Sequence, residues 1–232
     1  MNSNKRTAKI AGLLYLLVII FGVFAQVVVR SSLIVPGDAE TTASNIMASE
    51  SLFRLGFMSD LMMMTCYLLL AFTLYVLLKP VNKDFSLLFV LFTLASVAIM
   101  SLNMLNQFVA LLLLNGADYL KVFAIDQLHA LTLLFLNFHN YGYSIAQIFF
   151  GLWLLPLGYV IFKSGYFPKA LGILLILACF GHLIQFFQIF LFPSYEAITY
   201  PGLAIATVGE FSLCFWLLIK GVNAPITVEH NK

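Results

Sequence analysis

His139, Tyr143 and Gln147 recur at every fourth position of the stretch NFHNYGYSIAQ. On a helix that spacing puts an imidazole, a phenol and an amide on one face. The stretch interrupts an otherwise apolar run, LTLLFL before it and IFFGLWLLPLGYVIF after it. Few other side chains in apolar surroundings could bind a polar group or move a proton: Asp60, Asn103, Asn106, Gln107, His182, Gln185, Gln188 and Glu210. Two imidazoles and two carboxylates could in principle hold a hydrolytic metal with one open position. The spacing argues against it. There is no HExxH, the two histidines fall on separate segments, the cysteines are dispersed, and there is no GxSxG. No catalytic residue, metal set or cofactor is therefore assigned. Binding is favoured over catalysis, and an intramembrane metal-dependent hydrolase is the least favoured reading.

These residues must be positioned by elements of an unusual kind. The chain is 62% hydrophobic and 9% charged, with a mean hydropathy of +1.00. Soluble domains are about a quarter charged. A membrane-spanning helix needs about 20 mainly apolar residues, and six segments qualify, at 10–29, 54–78, 86–114, 139–162, 170–192 and 201–219. Their continuous apolar character favours helices over a barrel, whose strands would alternate. The fold class expected is an all-α integral membrane protein, one six-helix domain over 1–232 with short loops. The net charge of +2 gives no reason to expect a nucleic-acid partner. Cys66, Cys179 and Cys214 all fall inside spans, as small packing residues rather than a disulfide framework.

Charge placement sets an orientation. With a cytoplasmic N-terminus, Lys5, Arg6, Lys9, Lys79, Lys83, Lys163, Lys169, Lys220 and Lys232 lie inside, against Arg30, Arg54 and Lys121 outside. Both termini are then cytoplasmic, with Asn223, Pro225 and the last residues as a short tail. The basic start, the apolar run and Val23-Phe24-Ala25 also resemble a cleavable signal peptide. The run continues as Gln26-Val27-Val28-Val29, so a retained span is expected.

Between spans 1 and 2, Pro36-Gly37-Asp38 reads as a turn and residues 41–51 as a short amphipathic helix. Its apolar contacts would be Ile46, Met47 and Leu52. Glu50 and Arg54 are spaced to pair. Residues 127–162 as one helix would be about 54 Å long, beyond the roughly 30 Å hydrocarbon core. A break or sharp bend is therefore expected between Phe138 and Gly142, with 127–136 lying along the outer interface.

In this orientation Asp60, Asn103, Asn106, His139, Gln147, His182 and Gln185 fall in the outer halves of their spans, and Glu210 slightly deeper. The expectation is a polar pocket toward the outside, with Asp60, His182 and Glu210 pointing inward. His139, Tyr143 and Gln147 would form its mouth, and His182 would be the proton-sharing partner of Glu210. The plainer alternative is that Asn, Gln and His simply bond across helices and hold a bundle together.

RTAKIAGLLYLLVIIFGVFAQ, VRSSLIVPGDAETTASNIMASESLFRLG, LYVLLKPVNK, FHNYGY and FKSGYFPKALGILL together resemble domain-of-unknown-function family 4386. These are bacterial multi-pass membrane proteins. The resemblance covers nearly the whole chain and implies a bacterial inner-membrane protein; it carries no activity, substrate or functional residue with it. The function expected is binding of a small molecule or lipid within the bilayer. A structural or accessory subunit of a membrane complex is the alternative, and the sequence sets no oligomeric state.

Overall fold

A computed structural model describes residues 3–222; the tail at Asn223, Pro225 and Lys232 lies outside the described residues. Helix α1 (Ser3–Val23) runs into π-helical turns (Phe24–Arg30) and the short α2 (Ser31–Leu33), followed by α3 (Ala39–Ala48). The long helices α4 (Glu50–Leu78) and α5 (Lys83–Leu114) come next. After a 3-10 turn (Asp118–Leu120) come α6 (Ile125–Leu152), α7 (Leu154–Ser164) and α8 (Lys169–Leu191). A last 3-10 turn (Glu196–Thr199) leads into α9 (Tyr200–Ile219). No strand occurs among the described residues. Away from its ends, a helix pairs its backbone donors and acceptors within its own segment, which a bilayer interior demands.

Six helical stretches are long and apolar enough to cross a membrane: Ser3–Leu33, Glu50–Leu78, Lys83–Leu114, Ile125–Ser164, Lys169–Leu191 and Glu196–Ile219. The protein is an all-α multi-pass membrane protein. Each expected span falls inside one of these, except that Phe192 lies one residue past the fifth.

The turns follow from local chemistry. Pro36 and Gly37 form the turn after α2, with Gly37 at φ 79°, a backbone conformation glycine adopts without steric cost. Asp38 then caps α3, accepting from the Thr41 N–H. Of the apolar contacts expected on α3, Ile46 is fully buried, whereas Met47 is exposed. Glu50 and Arg54 pair at 2.6 Å on an exposed face.

The expected break between Phe138 and Gly142 is not found. Helix α6 continues through that stretch from Ile125 to Leu152, and the interruption comes at Trp153. Pro156 explains its position: without an N–H it cannot bond the carbonyl of Leu152. The bonds Trp153 N–H to Phe149 and Leu157 N–H to Trp153 carry the chain across. Gly142 serves packing instead. A Cβ there would lie 2.1 Å from Asn103 Oδ1. The whole stretch Ile125–Ser164 is 40 residues, about 60 Å of helix.

The chain divides into two compact units. One contains residues 3–16, 67–96 and 147–222; the other contains 17–66 and 97–146. In the first, the core is aromatic. Trp153 is fully buried and meets Tyr67 edge-on at 5.1 Å, Tyr15 at 6.3 Å and Phe89 at 6.4 Å between ring centroids, separations typical of favourable aromatic pairs. In the second, Val29, Leu33, Ile46, Phe53, Ala110, Leu111 and Leu136 pack together. Here α3 supplies Ile46 as the cover over the apolar faces of its neighbours.

Candidate functional site

The first unit brings Tyr15, His182 and Glu210 together, and small residues make this possible. A Cβ on Gly12 would lie 2.7 Å from the backbone nitrogen of Leu218, so α1 and α9 approach to backbone contact. Cys214 marks the same contact, its Sγ 3.7 Å from the Gly12 carbonyl. Tyr15, one turn on from Gly12, thereby reaches α9, and its hydroxyl donates to Glu210 Oε2 at 3.1 Å. On the other side, a Cβ on Gly181 would lie 2.4 Å from the carbonyl oxygen of Gly202. Helices α8 and α9 are held close there. Side chains lean toward the N-terminus of their own helix. In antiparallel helices, His182 of α8 and Glu210 of α9 therefore lean toward each other. His182 Nε2 lies 3.1 Å from Glu210 Oε1.

Each oxygen of the Glu210 carboxylate thus has one protein partner. His182 keeps a second ring nitrogen, Nδ1, which is buried and has no hydrogen-bond partner among the described residues. The ring of Phe150 stands edge-on to the imidazole at 6.1 Å. Gly151 permits α6 to close over it, since a Cβ there would lie 2.7 Å from His182 Cβ. About one turn along α8, Gln185 accepts a 2.8 Å hydrogen bond from Gln147 of α6. The expected pairing of His182 with Glu210 is therefore present, with two contributors the sequence reading did not name, Tyr15 and Phe150. Tyr15 has a sequence signal in hindsight: it follows a glycine at helical spacing in an otherwise apolar span.

The second unit contains the other expected residues, and they bond mainly to one another. Asp60 forms an ion pair with Arg30; the two side chains are 3% and 11% exposed. Arg30 Nε also donates to Gln26 at 2.8 Å. The π-helical turns at Phe24–Arg30 carry both residues, and such turns recur at functional positions in helices. Arg30, read from sequence as the outer end of span 1, is thus half-buried within a helical stretch that continues to Leu33. Asn103 donates to the carbonyl of His139 at 2.8 Å and lies 3.3 Å from its Nδ1. Asn106 donates to Asn103 at 3.0 Å. Tyr143 is half-buried. Two further groups stand apart. Gln107 is fully buried, with neither end of its amide partnered among the described residues, and the Nε2 of buried His129 is likewise unpartnered.

The predicted site residues therefore fall into two sets. Gln147, His182, Gln185 and Glu210 belong to the first unit; Asp60, Asn103, Asn106, His139 and Tyr143 belong to the second. Among the described residues no three of His, Cys, Asp and Glu are gathered as a metal-binding group. The three cysteines are buried and free.

Residues 10–221 match the family model described as "Domain of unknown function (DUF4386)". The chain is also similar to a protein of Archaeoglobus fulgidus described as "Uncharacterized protein". The two are 34% identical over 156 residues, which is 65% of this chain and 74% of the relative. No solved structure gives a significant match.

Proposed function

The chain belongs to the DUF4386 family, and we propose that it is a membrane-embedded binding protein that holds a small molecule or lipid at Tyr15, Glu210 and His182. The observation that carries this reading is His182 Nδ1: a buried ring nitrogen beside a carboxylate, inside an apolar span, with no partner among the described residues. Ionisable groups inside a bilayer are costly and cluster where a ligand, ion or proton is handled, and an unmatched buried polar atom costs about 1–3 kcal/mol. A ligand with a donor or acceptor suited to Nδ1 would offset that cost. The Gln147–Gln185 pair is the outer rim of the same site.

The orientation belongs to the same proposal. Lys5, Arg6, Lys9, Lys79, Lys83, Lys163, Lys169 and Lys220 favour cytoplasmic termini in a bacterial inner membrane, with the site in the outer half. The burial of Arg30 against Asp60 strengthens the asymmetry by removing one basic residue from the external count.

Native mass spectrometry of gently extracted protein tests the binding reading. Wild type is expected to carry a stoichiometric bound mass, lost from Glu210→Gln and retained by Glu196→Gln in the outer loop. A wild type without any bound mass, or equal retention by both variants, overturns it.

A further inference from the structure

A second site lies at the opposite end of α9 from its N-terminal turn. An open groove runs between α8 and α9, walled by Leu171, Val208, Phe211, Phe215 and Trp216 and ending at Lys220. No Asp or Glu lines it. We propose that this groove binds one anionic phospholipid, with its phosphate at Lys220 and an acyl chain along the aromatic wall.

Length is the first argument. From Val208 to Lys220 the helix rises about 18 Å, close to one leaflet's share, about half, of a ~30 Å hydrocarbon core. A groove of leaflet depth with an ammonium at one end has the dimensions and polarity of a single lipid. Charge is the second. Lys220 makes no ion pair among the described residues. Lys169, also exposed, is next in sequence to the lining residue Pro168, with its Nζ 5.5 Å from the Phe162 ring centroid. Lys163 occupies the last turn of α7. Basic residues at the mouth of a groove between spans attract anionic headgroups. The third argument is the wall itself: Trp216, one turn before Lys220, lines the groove beside the ammonium while its indole Nε1 is buried, so the groove offers ring carbon to an acyl chain. The opposite face of α9 is committed to the protein, through Glu210 to Tyr15 and His182, so the groove is a separate site.

The test uses full-length protein in detergent, titrated with phosphatidylglycerol or phosphatidylcholine of identical chains and read by native mass spectrometry. Wild type is expected to prefer phosphatidylglycerol by about fivefold, the effect of one lysine near a charged surface. Lys220→Gln is expected to abolish that preference, while Lys83→Gln, which removes the same charge away from the groove, leaves it. Val208→Trp, which fills the apolar end, is expected to weaken both lipids equally; Phe215→Ala checks the same wall if that variant does not fold. Lys220→Gln is expected to keep the mass that Glu210→Gln loses, so failure here is separable from failure at Glu210. Equal preference in wild type and Lys220→Gln overturns the proposal. So does a dimer mass whose formation excludes the lipid, which would make the groove's occupant a second copy of the chain.

Discussion

Tyr15 and Glu210 lie 195 positions apart in sequence, yet the phenol donates to the carboxylate at 3.1 Å. The contact exists because Gly12 lets α1 meet α9 at backbone distance. A hydrogen bond to a charged group contributes about 1.5–3 kcal/mol. Tyr15→Phe is therefore expected to destabilise the protein by roughly that amount, with Glu210 as the reason. In a Glu210→Gln background the same change is expected to cost distinctly less, because the acceptor is no longer a carboxylate. Reversible unfolding of the four proteins in detergent measures the coupling. Equal costs in both backgrounds would show that the hydroxyl and the carboxylate are not energetically linked.

Arg30 and Asp60 form the most buried ion pair described in the chain. Their mutual attraction is offset by the desolvation of both, so the pair is informative mainly when it is broken. Arg30→Met leaves a buried carboxylate without its partner and is expected to cost about 3–5 kcal/mol. Replacing both, as Arg30→Met with Asp60→Leu, is expected to recover most of that loss. A double variant as unstable as the single one would mean that Arg30 acts through Gln26 and the π-helical turns rather than through Asp60.

Asp38 carries the clearest pH dependence outside the spans. The Thr41 hydroxyl and then the Thr41 N–H donate to its carboxylate, at 2.7 and 2.9 Å, and hold it below the ordinary aspartate range. A carboxyl lowered on folding contributes stability above its unfolded pKa, about 4. That contribution is lost as pH falls through the lower folded value. The start of α3 is thus expected to be capped at neutral pH and to fray only in acid. The Thr41 amide shift in an NMR titration should move below pH 4. A midpoint at or above the ordinary aspartate value would contradict the capping geometry.

How much of this was legible in the residues depends on range. Six spans are legible because each is a long apolar run, and a bilayer leaves the backbone few alternatives. Glu50 with Arg54, and the turn at Pro36-Gly37-Asp38, are local and were readable from spacing. His182 with Glu210 was readable by depth, since two costly groups at similar levels seek one another. Arg30 with Asp60 was not. Its geometry involves π-helical turns, and nothing in FAQVVVR marks which residue is the extra one. Tyr15 was missed because a tyrosine in an apolar run looks like packing; only Gly12, a turn earlier, hints that a neighbour comes close.

Gly142 shows the same limit from the other side, and it can be tested directly. In sequence, a glycine amid Asn140, Tyr141 and Tyr143 reads as a hinge in a stretch too long for the membrane. In the structure α6 is unbroken there, and the missing side chain makes room for Asn103, whose amide bonds the carbonyl of His139. The two readings predict opposite signs. If Gly142 were a hinge, alanine would stiffen the helix and stabilise it, by about 1 kcal/mol from propensity alone. If Gly142 is the floor beneath Asn103, a Cβ displaces that side chain and breaks its bond to His139. Overpacking of this kind costs about 1–3 kcal/mol, so Gly142→Ala is expected to destabilise the protein. Adding Asn103→Ala should then return part of the loss, because the obstructed side chain is gone. Thermal unfolding of the single and double variants decides between them: a Gly142→Ala protein more stable than wild type would restore the hinge and remove the packing account of NFHNYGYSIAQ.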